Sequence, residues 1–494
     1  MRAYPAIGGR SRFAVLVVLA VTAALLAAAA ARAVVTLTRV SADPFTNASS
    51  QHATELEPDT FANGSTVIAA FQVGRFFNGG ASDIGFARSG DGGATWGTPG
   101  FLPGMTFNSG ATSPYERVSD PSVAYDASHG TWLISSIPLL PTRAVPTVFV
   151  NRSTDDGRSW STPVTIPDTA SNSIDLDKNW TSCDNTPSSP FFGHCYTELD
   201  NFGDGDRELM STSTDGGATW SAPIQTAGHD KGLGGQPVVQ PTGRVIVPFE
   251  SLNGQIQAFV SDDGGASWSK GIKVDGIRFH RVAGNLRTSP LPTAEVAHDG
   301  TVYVAWEDCR FRKGCTANDI VFSTSSDGVQ WSDPARVPID DVTSTADHFI
   351  PGLAVDPGTS GAGTHLALTY YFYPDANCGG ACRLEVGYIS SPDGGAHWGD
   401  PTQLAGPMSL SEIAQTSQGP MVGDYISTSF SGGLAATVFA VGLPSSSFDE
   451  GMYSPGRLTV ATPAQATHAS SSAGVAGPIT GVGTGTTIQA LRDN

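Results

Sequence analysis

The chain is short of charge, and of positive charge above all. Charged residues fill 15% of its 494 positions, and 27 Lys and Arg face 46 Asp and Glu, a formal net charge of −19. A surface this acidic repels nucleic acid and argues against polyanion binding as the main task. No window sustains a 3.6-residue apolar period, so nothing in the pattern asks for an amphipathic helix. Long hydrophobic runs are absent too, apart from Phe13 to Ala30. The six cysteines lack the Cys-x₂-Cys spacing with accompanying histidines that a zinc site needs.

The residues that are abundant fit a turn-rich all-β chain, with 58 glycines and 33 prolines. Ahead of the one apolar run stand Arg2, Arg10 and Arg12, and behind it Ala31-Arg-Ala33. That order predicts a secretory signal peptide over residues 1–33, cut before Val34, with an uncleaved membrane anchor as the alternative. Cleavage leaves 461 residues (494 less 33) and, because four arginines and no acid are lost, a net charge of −23. The cysteines fall into three close pairs, Cys183 and Cys195, Cys309 and Cys315, Cys378 and Cys382. In a secreted chain such pairs read as disulfides stapling loops. The mature protein is expected to be extracellular, free of the membrane and monomeric.

One eight-residue pattern organises the rest. Ser213-Thr-Asp-Gly-Gly-Ala-Thr-Trp220 recurs at Ser89 to Trp96, Ser153 to Trp160, Ser261 to Trp268 and Ser391 to Trp398, with a copy one residue shorter at Ser325 to Trp331. Its aspartates, at 91, 155, 215, 263, 327 and 393, are 64, 60, 48, 64 and 66 residues apart. A period of that length marks a propeller or array in which each repeat is one supersecondary unit. The Asp can accept backbone N–H groups across a tight turn, the glycine supplies positive φ, and the Trp returns the chain to apolar packing. This pattern is the Asp box, or bacterial neuraminidase (BNR) repeat, and on it residues 51–462 resemble the sialidase superfamily.

Three β-rich runs precede each box and one follows it, which predicts an all-β propeller of four-stranded antiparallel blades. Inner strands are expected at Glu57-Pro-Asp59, Asp120, Trp180, Gly235, Thr293 and Ile350. A seventh blade without a box is expected from Gly419 to Tyr425, through Leu434 to Phe439, to Arg457 to Val460. Seven blades are favoured, with six as the alternative. Residues 34–50 and 463–494, rich in small residues, are expected to be mobile tails, one of which can supply a strand that closes the ring.

The boxes themselves read as structural turns, so chemistry is expected at the opposite end of the sheets. Strand starts there supply Asp59, Asp120, Asp177, Lys178, Asp347, His348, Asp424 and Tyr425, and nearby loops add arginines that are scarce elsewhere. The resemblance implies an exo-α-sialidase-type glycoside hydrolase: three arginines on the substrate carboxylate, a Tyr nucleophile with a Glu beside it, and an Asp acid/base. On that pattern Tyr425 is the nucleophile, Glu307 its base, and Asp120 or Asp59 the acid. Arg75, Arg117, Arg287, Arg310, Arg312 and Asp424 are the substrate-binding candidates. The family's F/Y-R-I-P motif is absent, and Arg75 in Gly74-Arg-Phe-Phe77 and Arg117 in Tyr115-Glu-Arg117 stand as its substitutes.

Two other readings stay open. A non-catalytic glycan- or protein-binding propeller would expose Phe76, Phe77 and Trp180. A hydrolase of a neutral polysaccharide would oppose two carboxylates at either about 5 Å or about 6.5–9.5 Å. No cofactor is required, although Asp200-Asn-Phe-Gly-Asp-Gly-Asp206 sets Asp200, Asp204 and Asp206 on a Gly-bent loop suited to Ca²⁺, or simply to a solvated turn.

Overall fold

The structure, a computed structural model, describes Met1 and residues 35–167 and 174–472. Residues 2–33 of the predicted signal segment, and the end of the C-terminal tail, lie outside them. Among the described residues the helices are short 3₁₀ turns, and no helix is long and apolar enough to cross a membrane. The rest is antiparallel sheet.

Among the described residues the strands, taken in chain order, form seven antiparallel units, whose first strand is here called inner and whose last is called outer. The first holds Glu55–Asn63, Thr66–Arg75, Ala81–Ser89 and Gly100–Phe101; the second holds Arg117–Asp126, Thr131–Leu139, Phe149–Ser153 and Val164–Thr165. One pair, Ala81 with Val118, joins these two into a single sheet. Leu176–Cys183, Cys195–Asn201, Arg207–Ser213 and Ile224–Gln225 make the third unit. The fourth has a split inner edge, Gly232–Leu233 and Val238–Val239, against Val245–Ser251, Gln255–Ser261 and Ile272–Gly276. The fifth and sixth begin at Thr293–Val296 and Asp347–Val355.

The seventh unit departs from expectation. Gly419–Met421 forms a small hairpin with Ala414–Thr416, and the inner strand is Ser427–Ser431. The third strand is Glu450–Ser454, while Arg457–Leu458 pairs beyond its end on Leu434–Gly442. The outer strand comes from the N-terminal segment expected to be mobile: Thr38–Arg39 pairs with Tyr453 and Ser454. Arg39 secures it with ion pairs to Glu55 at 2.9 Å and Asp449 at 2.6 Å. The start of the C-terminal tail is also paired, with His468–Ala469 on His397–Trp398 and Ser471–Ser472 on Ala335–Arg336.

Apolar clusters lie between consecutive units, which is why strands such as Thr66–Arg75 are buried on both faces and read as continuous apolar runs. Ile68 and Ile84 of the first unit meet Val123, Trp132 and Ile134 of the second. Leu133 and Ile137 then meet Leu199 and Leu209, and the series continues to Leu368 and Ile389 of the sixth. Each box tryptophan in this series, from Trp160 to Trp398, packs into the cluster its own unit shares with the one before. The last unit meets the first: Thr60 Oγ1 lies 2.8 Å from the hydroxyls of both Ser427 and Ser429.

All six boxes connect third to fourth strands, at the end where inner strands finish. Gly92 N donates to Ser65 O in the adjacent inner hairpin at 2.7 Å. Within a box the geometry repeats. Ser261 Oγ donates to Asp263 Oδ1 and receives Gly265 N, while Ser267 closes the turn on the same carboxylate through its N–H at 2.9 Å and its hydroxyl at 2.5 Å. The hydroxyl and N–H of Thr95 likewise hold Asp91 down to a pKa of about 2. Replacing Asp263 with alanine should cost about 1 kcal/mol, read as a lower urea midpoint at unchanged slope, with Asp263→Asn losing less.

Four inner strands carry the same irregularity near the opposite end. Glu57, Asp120, Lys178 and Ile350 have φ of 55°, 49°, 40° and 49°, and the ladder slips by one residue at each. Pro58, Pro121 and Pro351 follow three of them; proline cannot donate to a ladder, and a bulge accommodates it. A bulge at this place re-aims its side chain, and left-handed non-glycine residues tend to gather at functional sites.

Candidate functional site

Three of the bulges converge. Lys178 Nζ donates to Asp120 Oδ1 at 2.8 Å and to Asp424 Oδ2 at 2.6 Å, and Glu57 Oε1 lies 3.7 Å away. These four side chains come from the first, second and third units and from the link entering the seventh. Arg287, from the link between the fourth and fifth units, grips Asp424 with two parallel bonds of 2.8 and 2.6 Å. Burial opposes the charge on Lys178, but Asp120, Asp424 and Glu57 overcome it and hold the ammonium well above its ordinary pKa. Gly423 makes the approach: at φ 126° it passes so close to Glu57 that a Cβ would meet that backbone at 2.9 Å, and Asp424 N reaches Glu57 Oε1 at 3.2 Å.

Tyr425 closes the same group. Its ring stands edge-on to Trp180 at 5.2 Å, with Lys178 Nζ 5.9 Å from its centroid. Its hydroxyl donates to Pro121 O at 3.2 Å. Burial first, then Glu57, Asp120, Asp59 and Asp424, push its pKa well above the usual phenol value. Lys178, Trp180, Gly234, Leu291, Pro292, Asp424 and Tyr425 border a depression at this end of the molecule. Between the inner strands, reaching toward the end where they finish, lies a cavity of about 400 Å³ lined by Asp59, Glu295, hydroxyl side chains and Phe430.

The remaining predicted residues have other positions. Asp59 ties three units together by accepting Val123 N at 2.7 Å, Thr60 N at 2.8 Å and Ser427 Oγ at 3.0 Å. Glu307, expected beside Tyr425, instead accepts the N–H of the bulged Ile350 at 2.7 Å and lies near Asp347 and Glu250.

The arginines go to separate partners. Arg75 donates to Gln72 Oε1 at 2.8 Å, and Gln72 in turn donates to Glu57 and to Ser119. Arg117 binds Asn78 and Gly79 O and stacks over Phe76 at 4.3 Å. Arg310 pairs with Asp308 and Asp275, and Arg312 with Asp319 and Asp340. Of the five, Arg287 binds a carboxylate that Lys178 also holds, and Arg75 reaches Glu57 through Gln72. Of the three aromatics, Phe76 is buried, Trp180 half-buried and Phe77 exposed.

The Gly-bent acidic loop also needs correction. Asp200 lies within a strand and Asp206 just before the next, both buried, while Asp204 is exposed and pairs with Arg207 at 3.1 Å. Asp319, Asp340 and His348 are close enough together to hold an ion. Arg312 and Arg336 already bind both carboxylates there, so the charge is balanced without a metal. Glu57 and Arg287's pairing with Asp424 were the parts of the group hardest to foresee; the only signal was Asp-Tyr after a glycine beside a short proline-broken strand.

A BNR repeat-like domain model matches residues 191–355, which hold the third, fourth and fifth boxes. Over that third of the chain the sequence is similar to BNR repeat-like domains. Among solved structures it is similar to a protein of unknown function from Dyadobacter fermentans, at 17% identity and a TM-score of 0.46 over 72% of this chain and 99% of that one. An intramolecular trans-sialidase from Ruminococcus gnavus gives 14% identity and a TM-score of 0.40 over 84% and 96%. The Hadza microbial sialidase Hz136 gives 16% and 0.42 over 83% and 66%. No curated protein matches the sequence.

Proposed function

We propose that the seven units are the blades of a secreted β-propeller, and that its Lys178 end works as a two-carboxylate glycoside hydrolase on an uncharged glycan. One observation carries the reaction type. Asp120 and Asp424 share Lys178 Nζ at 2.8 and 2.6 Å, so their bound oxygens are at most 5.4 Å apart. That limit lies below the about 6.5–9.5 Å that inverting glycosidases need for an intervening water, and it is compatible with the shorter spacing of retaining ones, about 5–5.5 Å. Asp424, held by both Lys178 and Arg287, suits the ionised nucleophile, which leaves Asp120 as the acid/base. The half-buried Trp180 offers a ring surface on which a sugar can stack.

The charge at this end argues against a sialoside. Glu57, Asp120 and Asp424 put three carboxylates just behind the depression, and Arg287 already has its fork filled by Asp424. Tyr425 has its pKa raised where a nucleophile needs help losing a proton, and its hydroxyl is turned to a backbone carbonyl. Three disulfides, Cys183–Cys195, Cys309–Cys315 and Cys378–Cys382, suit an oxidising compartment and support secretion.

The test is a panel of fluorogenic glycosides, neutral sugars and a sialoside together. The expected result is turnover of a neutral glycoside with retained anomeric configuration, reduced roughly 10²–10⁴-fold in Asp424→Asn and Asp120→Asn. Sialoside turnover abolished by Tyr425→Phe would overturn this in favour of the sialidase mechanism. Tight glycan binding with no turnover would make the site a binding one.

A further inference from the structure

Several arginines that reach the surface of this acidic chain are neutralised there, Arg39 by Asp449, Arg207 by Asp204 and Arg244 by Asp262. One sector differs. Arg278, Arg281, Lys313 and Arg383 are all exposed, and among the described residues none of them forms an ion pair. The single side-chain partner in the set is neutral: Asn285 Oδ1 accepts from Arg281 at 2.9 Å.

The fold gathers these four. Residues 277–286 form a strap from the fourth unit to the fifth and carry Arg278 and Arg281. The strap is tied to the loop closed by Cys309–Cys315, which holds Lys313. Cys309 N donates to Arg278 O at 2.7 Å, and His280 Nδ1 lies 3.0 Å from Cys315 O. It also packs on the loop closed by Cys378–Cys382, which Arg383 follows directly. A Cβ on Gly284 would meet Cys382 Sγ at 3.2 Å, and the Tyr373 hydroxyl donates to Ala283 O at 3.4 Å. Acids on the adjoining loops are engaged elsewhere. Asp275 pairs with Arg310, Asp341 accepts the N–H and hydroxyl of Thr343, and Asp375 accepts Asn377 N.

Unpaired cations spread over three loops suit charges spaced along a polymer better than one small anion. Three of the four are arginines, whose planar fork matches a planar carboxylate. The 46 acids of the chain against 27 Lys and Arg disfavour nucleic acid, a far denser polyanion. Direction matters as well. The strap leads to Arg287, whose N–H donates to Pro420 O at 2.9 Å and whose fork holds Asp424 at the depression. A glycan chain seated in that depression can therefore continue onto the strap.

We infer that this sector is a docking strip for a polysaccharide bearing uronic acid carboxylates, held by Arg278, Arg281, Lys313 and Arg383. The carboxylates would lie on the strap and its two disulfide loops, so an uncharged unit can still occupy the depression.

Affinity electrophoresis of the purified full chain through gels containing polygalacturonate reads binding without turnover, so its outcome is separate from that of the proposed hydrolysis. Wild type should be retarded by polygalacturonate, unaffected by its methyl-esterified form, and released by about 0.5 M salt, where exposed charges are screened. Arg278→Glu combined with Arg383→Glu should weaken binding roughly 10-fold or more, with the melting temperature unchanged. Arg281→Glu combined with Lys313→Glu should do the same, which keeps the test open if one pair disturbs folding. Lys270→Glu, at an exposed position just after the fourth box, should bind as wild type does. Wild type that is not retarded, equal retardation by the esterified polymer, or undiminished binding in both double variants overturns the assignment. So does tighter binding of dextran sulfate or single-stranded DNA, which would make the sector a general polyanion surface.

Discussion

Lys178→Met is expected to destabilise the protein by about 3–5 kcal/mol, a large share of the 5–15 kcal/mol that typically separates folded from unfolded. The side chain is 4% exposed, and Asp120, Asp424 and Glu57 are as deeply covered. Methionine keeps the volume and the packing against Tyr425 but leaves these acids with less compensation. Arg287 continues to serve Asp424, and Asp120 loses the 2.8 Å bond from the ammonium. Adding Asp120→Asn should therefore recover part of the stability, and a double-mutant cycle between positions 120 and 178 should show coupling of about 1–3 kcal/mol. The destabilisation should also shrink in mild acid, where the orphaned carboxylates take up protons. Denaturant midpoints for the four proteins decide the matter. A Lys178→Met protein as stable as wild type, with no coupling to position 120, would mean that the ammonium is not what holds these strands together.

How much of this was legible in the sequence follows from distance along the chain. The boxes were fully readable, because Ser261, Asp263, Gly265 and Ser267 satisfy one another within seven residues. The strands before each box followed from their apolar runs. The seventh unit lacks a box, and with that ruler missing its third strand was placed at Arg457 to Val460 instead of Glu450–Ser454. Thr38–Arg39 reads as tail because two residues carry no period; the strand it pairs with, Glu450–Ser454, and its partner Asp449, 410 positions away, are remote in sequence.

The candidate site was half readable. Asp120, Lys178, Asp424 and Tyr425 were all recognisable as strand-start residues of the correct end, but Lys178 meets Asp424 across 246 positions and nothing local announces the pair. The arginines erred in the other direction. Arg310 has Asp308 two residues away and Arg312 has Asp319 seven away. Those neighbours were the plainer explanation for each guanidinium than a shared substrate carboxylate.

The second large effect concerns pH: between about pH 5 and about pH 8 the protein should lose stability as pH rises, by several kcal/mol in total. Burial raises Asp59 to about 7, against hydrogen bonds from Val123, Ser427 and Thr60 that pull it down. Burial likewise takes Glu250 and Asp347 to about 7, and Glu295, with Asp59 adding repulsion, to about 8. Glu307 is pushed well above its ordinary value for the same reason. In the unfolded chain these groups ionise near 4, so across the window the folded state binds more protons than the unfolded one. The derivative of unfolding free energy with pH is then negative, and the stability present in mild acid is lost as each folded pKa is passed. The box aspartates act oppositely but elsewhere. Asp91, at about 2, contributes fully above the ordinary carboxyl range and loses its contribution only as pH falls toward 2. The two sets together put the optimum near pH 5, about where the buried acids are still protonated and the box acids already ionised. Urea midpoints should fall steadily over this window, and Glu250→Gln should flatten the slope. A midpoint that stays level or rises toward pH 8 would show that these carboxyls are ionised in the fold and compensated by groups not identified with them.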